Sequence, residues 1–260
     1  MYNLTMKYPE LERLIGIVAT LRSENGCQWD REQTHQSLRP NMLEEAYEAV
    51  DAIDENDMAN LREELGDVLL QVVLHAQIAK DEGDFDIEDV AKELGDKLIH
   101  RHPHVFGNAK VNSTDDILNA WEKLKKEEKT DRKSVLDGIS KSQSALMSAQ
   151  KISKRAVKVG FEWDSVDTLK DCIKSEYKEF EEAVEIGDRD SMEDEMGDIF
   201  FATVNFARWH KIDAEQALLR ANKKFTKRFR KMEELATKPL EDYSFEEYDA
   251  LWKKAKIELS

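Results

Sequence analysis

Apolar residues recur along this chain at helical spacing, and no region shows the strict alternation of a half-buried strand. Leu43, Ala46, Tyr47, Val50 and Ile53 follow one another at i, i+3, i+4 intervals. Leu61, Leu65, Val68, Leu69, Val72, Val73 and Ala76 make a second stripe. The other half of the chain offers Leu169, Ile173, Tyr177, Phe180 and Val184, then Met192, Met196, Ile199, Phe200 and Val204. Asn56-Asp57 and Gly187-Asp188 supply turn chemistry between the members of each pair. The pattern predicts an all-α protein with a helical hairpin in each half.

The two halves also repeat one another. Glu45, Glu48, Glu64 and Asp67 each reappear 131 residues later as Glu176, Glu179, Glu195 and Asp198, without a gap. Gly26-Cys27-Gln28-Trp29-Asp30 parallels Gly160-Phe161-Glu162-Trp163-Asp164. Lys97 and Arg101 are four apart, as are Lys224 and Arg228, and Trp121 and Lys125 are matched by Trp252 and Lys256. A period this long implies a duplicated domain rather than a solenoid. The polar run Lys125 to Lys133 reads as an exposed boundary, giving domains 1–128 and 129–260.

Acids three apart on a helix share a face, so Glu45 with Glu48 and Glu64 with Asp67 can converge across one hairpin, and their counterparts across the other. Four clustered carboxylates raise one another's pKa values, and a hard divalent cation relieves the repulsion. All-oxygen donors suit Mg²⁺, with Mn²⁺ as a substitute. One such quartet in a chain with 55 acidic residues is ordinary surface; its exact duplication beside a mid-helix glycine, Gly66 and Gly197, is not. Each glycine costs roughly 1 kcal/mol relative to alanine. Close approach by a ligand or by another helix accounts for it equally well. A di-iron bundle would place Glu-x-x-His pairs here, and the second member is an acid every time.

Lys224 with Arg228, and Lys97 with Arg101, offer paired cations for phosphate oxygens. Trp252 beside Lys256, and Trp121 beside Lys125, can cover a nucleotide or serve as core. The string His100-Arg101-His102-Pro103-His104 is read as a helix terminus rather than a zinc site, since no cysteine lies nearby.

Composition narrows the class. The chain has 260 residues, 40% apolar and 36% charged, with only 10 glycines and 4 prolines, which favours helices over sheet. A net charge of −16 argues against general nucleic-acid binding, while the basic cluster from Lys223 to Lys231 leaves room for a small polyphosphate. Two cysteines, one in each half, provide no disulfide framework and fit a reducing cytoplasm. Neither a signal-peptide pattern nor a membrane-length apolar run is present. No Gly-rich P-loop appears.

These motifs resemble those of the MazG-type nucleoside triphosphate pyrophosphohydrolases. The resemblance rests on Glu44-Glu45-Ala46-Tyr47-Glu48 with Glu64-Leu65-Gly66-Asp67 in the first half, and on Glu176-Tyr177-Lys178-Glu179 with Glu195-Met196-Gly197-Asp198 in the second. Arg101-His102-Pro103-His104-Val105-Phe106, Ser134-Val135-Leu136-Asp137-Gly138-Ile139 and Val159-Gly160-Phe161-Glu162-Trp163-Asp164 extend it across the chain. It implies an all-α, Mg²⁺-dependent enzyme that converts a nucleoside triphosphate to the monophosphate and pyrophosphate, usually as a homodimer. It places the active unit in the second half, with metal on Glu176, Glu179, Glu195 and Asp198, catalysis on Glu176 or Glu179, and nucleotide contacts on Lys224, Arg228, Trp252 and Lys256. Ser175 stands where the family's leading glutamate falls, whereas the first half keeps Glu44. A narrower nucleotide specificity, or a metal-binding interaction protein without turnover, are the alternatives.

Overall fold

The structure is a computed structural model and describes residues 7–111, 113–128 and 133–259. Among the described residues every regular element is helical, so the protein is all-α as expected. The chain divides into two compact units, Met1–Thr130 and Asp131–Ser260. Residues 129–132, on which the expected domain boundary falls, lie outside the described residues.

Unit 1 contains α1 (Pro9–Arg22), α2 (Gln28–Glu32), α3 (Arg39–Glu55), α4 (Met58–Glu82), α5 (Ile87–Arg101), α6 (Pro103–Phe106) and α7 (Thr114–Glu127). Unit 2 contains α8 (Ala145–Val157), α9 (Val166–Ile186), α10 (Arg189–Trp209), α11 (Ala214–Leu235) and α12 (Phe245–Glu258), with a 3-10 turn at Leu240–Asp242. The repeat pairs α1 with α8, α3 with α9, α4 with α10, α5 with α11 and α7 with α12.

The hairpin turns use the same device twice. Asn56 ends α3 in the left-handed region at φ 54°, and Gly187 ends α9 at φ 79°. An aspartate follows in each case. Asp57 Oδ1 accepts from the backbone N–H groups of Ala59 and Asn60, and Asp188 Oδ1 from those of Asp190 and Ser191. The chain therefore reverses in two residues, which fixes the facing helices in register.

Burial departs from the stripes in one respect. Val18, Leu38, Val73, Leu74 and Ile78 form the core of unit 1, and Ala49 and Ala52 let α3 approach α4. Tyr47 and Ile53, however, remain mostly exposed, as do Tyr177, Val184 and Phe200 in unit 2. The stripes are apolar, yet these large members face outward while Ala49, Ala52, Ala183 and Ala202 are buried. Gly66 and Gly197 also stand in open space: a Cβ added at either meets nothing within 4 Å. Helix packing within the protomer therefore does not explain them.

The histidine string ends a helix, as read from Pro103. α5 stops at Arg101, and α6 begins at Pro103. His100 Nδ1 lies 3.0 Å from Glu128 Oε1, and His102 Nδ1 lies 2.7 Å from the Leu98 carbonyl oxygen.

Candidate functional site

Each hairpin gathers its acids. One carboxylate oxygen from each of Glu45, Glu48 and Glu64 lies within 4.8 Å of the others, and Glu176, Glu179 and Glu195 do the same in unit 2. The i, i+3 spacing on α3 and α9 supplies two acids, and the antiparallel partner helix supplies the third. Asp67 and Asp198 stand close enough for their charges to act on these groups. Glu195 has its pKa raised by loss of hydration, then by the charges of Glu179, Asp198 and Glu176. Loss of hydration, followed by neighbouring acids, raises Glu64 and Glu45 in the same way.

The donor set fits a hard divalent cation. Every converging group is a carboxylate. The neighbouring sulfur is held as a thiol: Cys172 Sγ donates to Glu176 Oε1 over 3.3 Å, and burial, then that bond, pushes its pKa up to about 11. Ser175, in place of a further acid, donates from Oγ to Glu179 Oε1 over 2.8 Å and orients it.

A cavity of about 770 Å³ opens beside the unit 2 acids. Glu176, Asp198 and Cys172 contribute to its lining, and so do Phe161 and Trp163 from the loop joining α8 to α9. Ser153 of α8 and Asn205 of α10 line it too. The Phe161 to Asp164 string was visible in the sequence as a repeated motif. Ser153 and Asn205 were not singled out, and the only available signal was that they break the repeat.

The basic and aromatic residues form a second constellation. Arg228 lies over the Trp252 ring, 5.8 Å from its centroid, and Phe225 packs on the same indole at 5.2 Å. Trp252 itself rests against Met232, Leu251 and Ala255, so it is partly a core residue. The cavity lining includes none of Lys224, Arg228, Trp252 or Lys256.

In unit 1 the equivalent cations are engaged. Arg101 Nε donates to both oxygens of Glu128 at 3.1 Å, and a second guanidinium nitrogen reaches the same carboxylate. The hydrogen bond from Arg101 pulls Glu128 down to about 2. Arg101 also stacks over Trp121 at 5.3 Å, as does Lys125 Nζ at 4.5 Å, and Lys97 pairs with Glu93 at 3.3 Å. The repeat counterpart of Glu128 is Leu259. Arg228 and Lys224 accordingly carry no carboxylate partner among the described residues.

A duplicated helical unit with a carboxylate trio on each hairpin defines a class of all-α proteins whose acids could hold a metal ion. Comparison with known proteins makes the class specific. The MazG nucleotide pyrophosphohydrolase domain family matches residues 33–106 and again 164–232. A Thermotoga maritima protein named nucleoside triphosphate pyrophosphohydrolase/pyrophosphatase MazG is 46% identical over 249 residues, covering 94% of this chain and 95% of its own. An Escherichia coli K12 protein named nucleoside triphosphate pyrophosphohydrolase is 43% identical over 255 residues, covering 95% and 97%. A crystal structure of a MazG-related protein from Thermotoga maritima is 32% identical over 44% of this chain and 98% of its own, with a TM-score of 0.39. The chain belongs to the MazG nucleotide pyrophosphohydrolase family, whose enzymes are hydrolases of phosphoric anhydride bonds.

Proposed function

We propose that this protein hydrolyses nucleoside triphosphates to the monophosphate and pyrophosphate, with turnover in unit 2. The observation that carries the choice of unit is the state of the paired arginines. Arg101 is clamped by Glu128, while Arg228 has no carboxylate partner among the described residues and is available to a phosphate. The cavity beside the unit 2 acids supports the same reading.

The residues divide the work by chemistry. Glu176, Glu179, Glu195 and Asp198 hold Mg²⁺, or Mn²⁺ in its place. When bound, such an ion neutralises triphosphate charge and supplies an acidified water. Glu176 or Glu179 orients the water that attacks the α-phosphorus and takes its proton; Ser175 fixes Glu179 for this. Lys224 and Arg228 balance the charge that builds on the leaving pyrophosphate. Trp252 and Lys256 hold the nucleotide. Glu45, Glu48, Glu64 and Asp67 hold a second ion in unit 1, and Lys97, Arg101, Trp121 and Lys125 are the counterparts of the substrate contacts there.

The active form is a homodimer. Tyr177 is 54% exposed and Phe200 58% exposed on the hairpin that carries the acids, and a second copy covers them. Among the described residues no helix is long and apolar enough to cross a membrane.

Pyrophosphate release from ordinary and damaged nucleoside triphosphates, with and without Mg²⁺, tests the activity. Glu179→Ala is expected to abolish release, and Glu48→Ala to retain the larger share. The opposite pair of results moves the active site to unit 1. Release from neither the wild type nor any variant leaves only a metal-binding protein.

A further inference from the structure

We propose that Ser153 and Asn205 form a base-reading element of unit 2 that selects nucleobases bearing an exocyclic amino group. Triphosphates of cytosine and adenine then enter in preference to those of uracil and hypoxanthine. This rests on the reading of unit 2 as a nucleoside triphosphate site and names its specificity.

The pair lies within the cavity, away from the acids. Asp198 and Asn205 sit two turns apart on α10, roughly 10 Å along the axis, about the reach of a ribose and its base from the α-phosphate. The aromatic rings of Phe161 and Trp163 line the same space and offer faces for a base to stack on.

The polar groups are buried and held. Ser153 is 3% exposed and Asn205 7%. Ser153 Oγ donates to Asn205 Oδ1 over 2.5 Å, and Asn205 Nδ2 donates to the Phe201 carbonyl oxygen over 2.9 Å. That carbonyl can only accept, so it pins the amide against a flip. What remains open is one N–H of Nδ2, one lone pair of Oδ1 and the lone pairs of Ser153 Oγ. The surplus is of acceptors. An amino group can donate to those oxygens while the adjacent ring nitrogen accepts from Nδ2. A keto group in the same place sets oxygen against oxygen.

The duplication supplies the control. Asn205 stands 131 residues after Leu74, and Ser153 stands 134 residues after Ala19, in the register of the repeated Gly-x-x-Trp-Asp string. Unit 1 therefore carries apolar residues at both matching positions, and Leu74 belongs to its core. The shared helix pair accommodates apolar residues at these positions in unit 1. Replacing a buried Ser–Asn couple by apolar groups of the same shape can be nearly neutral for stability, so its presence in a cavity wall beside the acids points to a ligand.

The test compares kcat/KM for CTP against UTP, and for ATP against ITP, in wild type and in the double variant Ser153→Ala/Asn205→Leu, which copies unit 1. In wild type the amino member of each pair is expected to lead by about tenfold or more, mainly through KM. In the double variant both ratios are expected to fall to within about twofold of one. Ser153→Ala alone, which removes one acceptor and the tether, is expected to lower both ratios should the double variant fail to fold. Ratios near one in wild type, or ratios that survive both substitutions, overturn the proposal. Calorimetric affinities for non-hydrolysable CTP and UTP analogues separate the two failures. Discrimination in binding without pyrophosphate release rejects the enzyme reading alone, and release without discrimination rejects the base reading alone.

Discussion

His75 makes stability depend on pH in a way that can be isolated. In unit 1 the Nδ1 atoms of His35 and His75 lie 2.7 Å apart, with the ring planes within 2° of parallel. One ring donates its Nδ1–H and the other accepts, which needs a neutral acceptor. Burial, then the charge of His35, lowers the pKa of His75 below its ordinary 6.5. A histidine depressed in the folded state binds its proton more readily when unfolded. The stability contribution is thus present above about pH 6.5 and is lost as the pH falls through the window below it. A single proton limits the slope to about 1.4 kcal/mol per pH unit. Glu45, Glu64 and Glu195 act with the opposite sign. Their raised folded values favour the folded state at low pH, and that contribution is lost as the pH rises through those values. The comparison with His75→Phe cancels them, and unit 2 already carries Phe206 at the matching position. Urea unfolding of both proteins between about pH 7.5 and about pH 5 gives the difference directly. Wild type is expected to lose ground to the variant on acidification, by no more than the one-proton slope. Parallel curves would show that the imidazole pair titrates alike in folded and unfolded chains, and the argument would fail.

Three further outcomes follow from particular contacts. Millimolar Mg²⁺ is expected to raise the thermal midpoint, by about 2.7 kcal/mol of stability when its concentration is a hundredfold above Kd. In Glu195→Gln the rise should shrink, and an equal rise in both proteins rules that carboxylate out as a ligand. Gly66→Ala is expected to stabilise by about 1 kcal/mol in urea unfolding, since its Cβ meets nothing in the protomer. A lowered midpoint means that another chain or a ligand approaches there. Arg228→Ala is expected to lower kcat/KM by about 100-fold or more with little change in unfolding, whereas Arg101→Ala strands Glu128 and should act on stability instead. Equal kinetic losses from the two would contradict the division of labour between the units.

The features legible in the sequence are those written in short-range chemistry. Helical periodicity, the Asn56-Asp57 and Gly187-Asp188 turns and the Pro103 break each depend on a few adjacent residues, and each appears where expected. The acid trios were legible because an i, i+3 spacing sets their direction and the hairpin sets their partner. Whether a stripe is covered depends on what the rest of the fold places over it, and Tyr47 and Tyr177 show that period alone does not decide this. The engagement of Arg101 was equally hidden, because Glu128 lies 27 residues away and is brought back by the packing of α7 on α5. Ser153 and Asn205 were missed for a related reason. They belong to positions that do not repeat, so the matched motifs leave them unmarked.

The differences within a duplicated chain carry information that its matches do not. Matched residues locate what both units share, here the carboxylates, the lysine–arginine pairs and the tryptophans. They cannot say which unit turns over substrate or what it selects. The unmatched positions can, because the other unit shows what the fold tolerates there. Leu259 for Glu128 releases an arginine, and Asn205 for Leu74 puts a held amide into a cavity wall. Arg228 is left without a carboxylate partner among the described residues, and Asn205, though bonded on both sides, keeps one N–H and one Oδ1 lone pair to offer a ligand. Under the proposed function the two differences have one reading: unit 2 keeps an arginine for phosphate and an amide for a base, where unit 1 has an arginine–glutamate salt bridge and an apolar core residue.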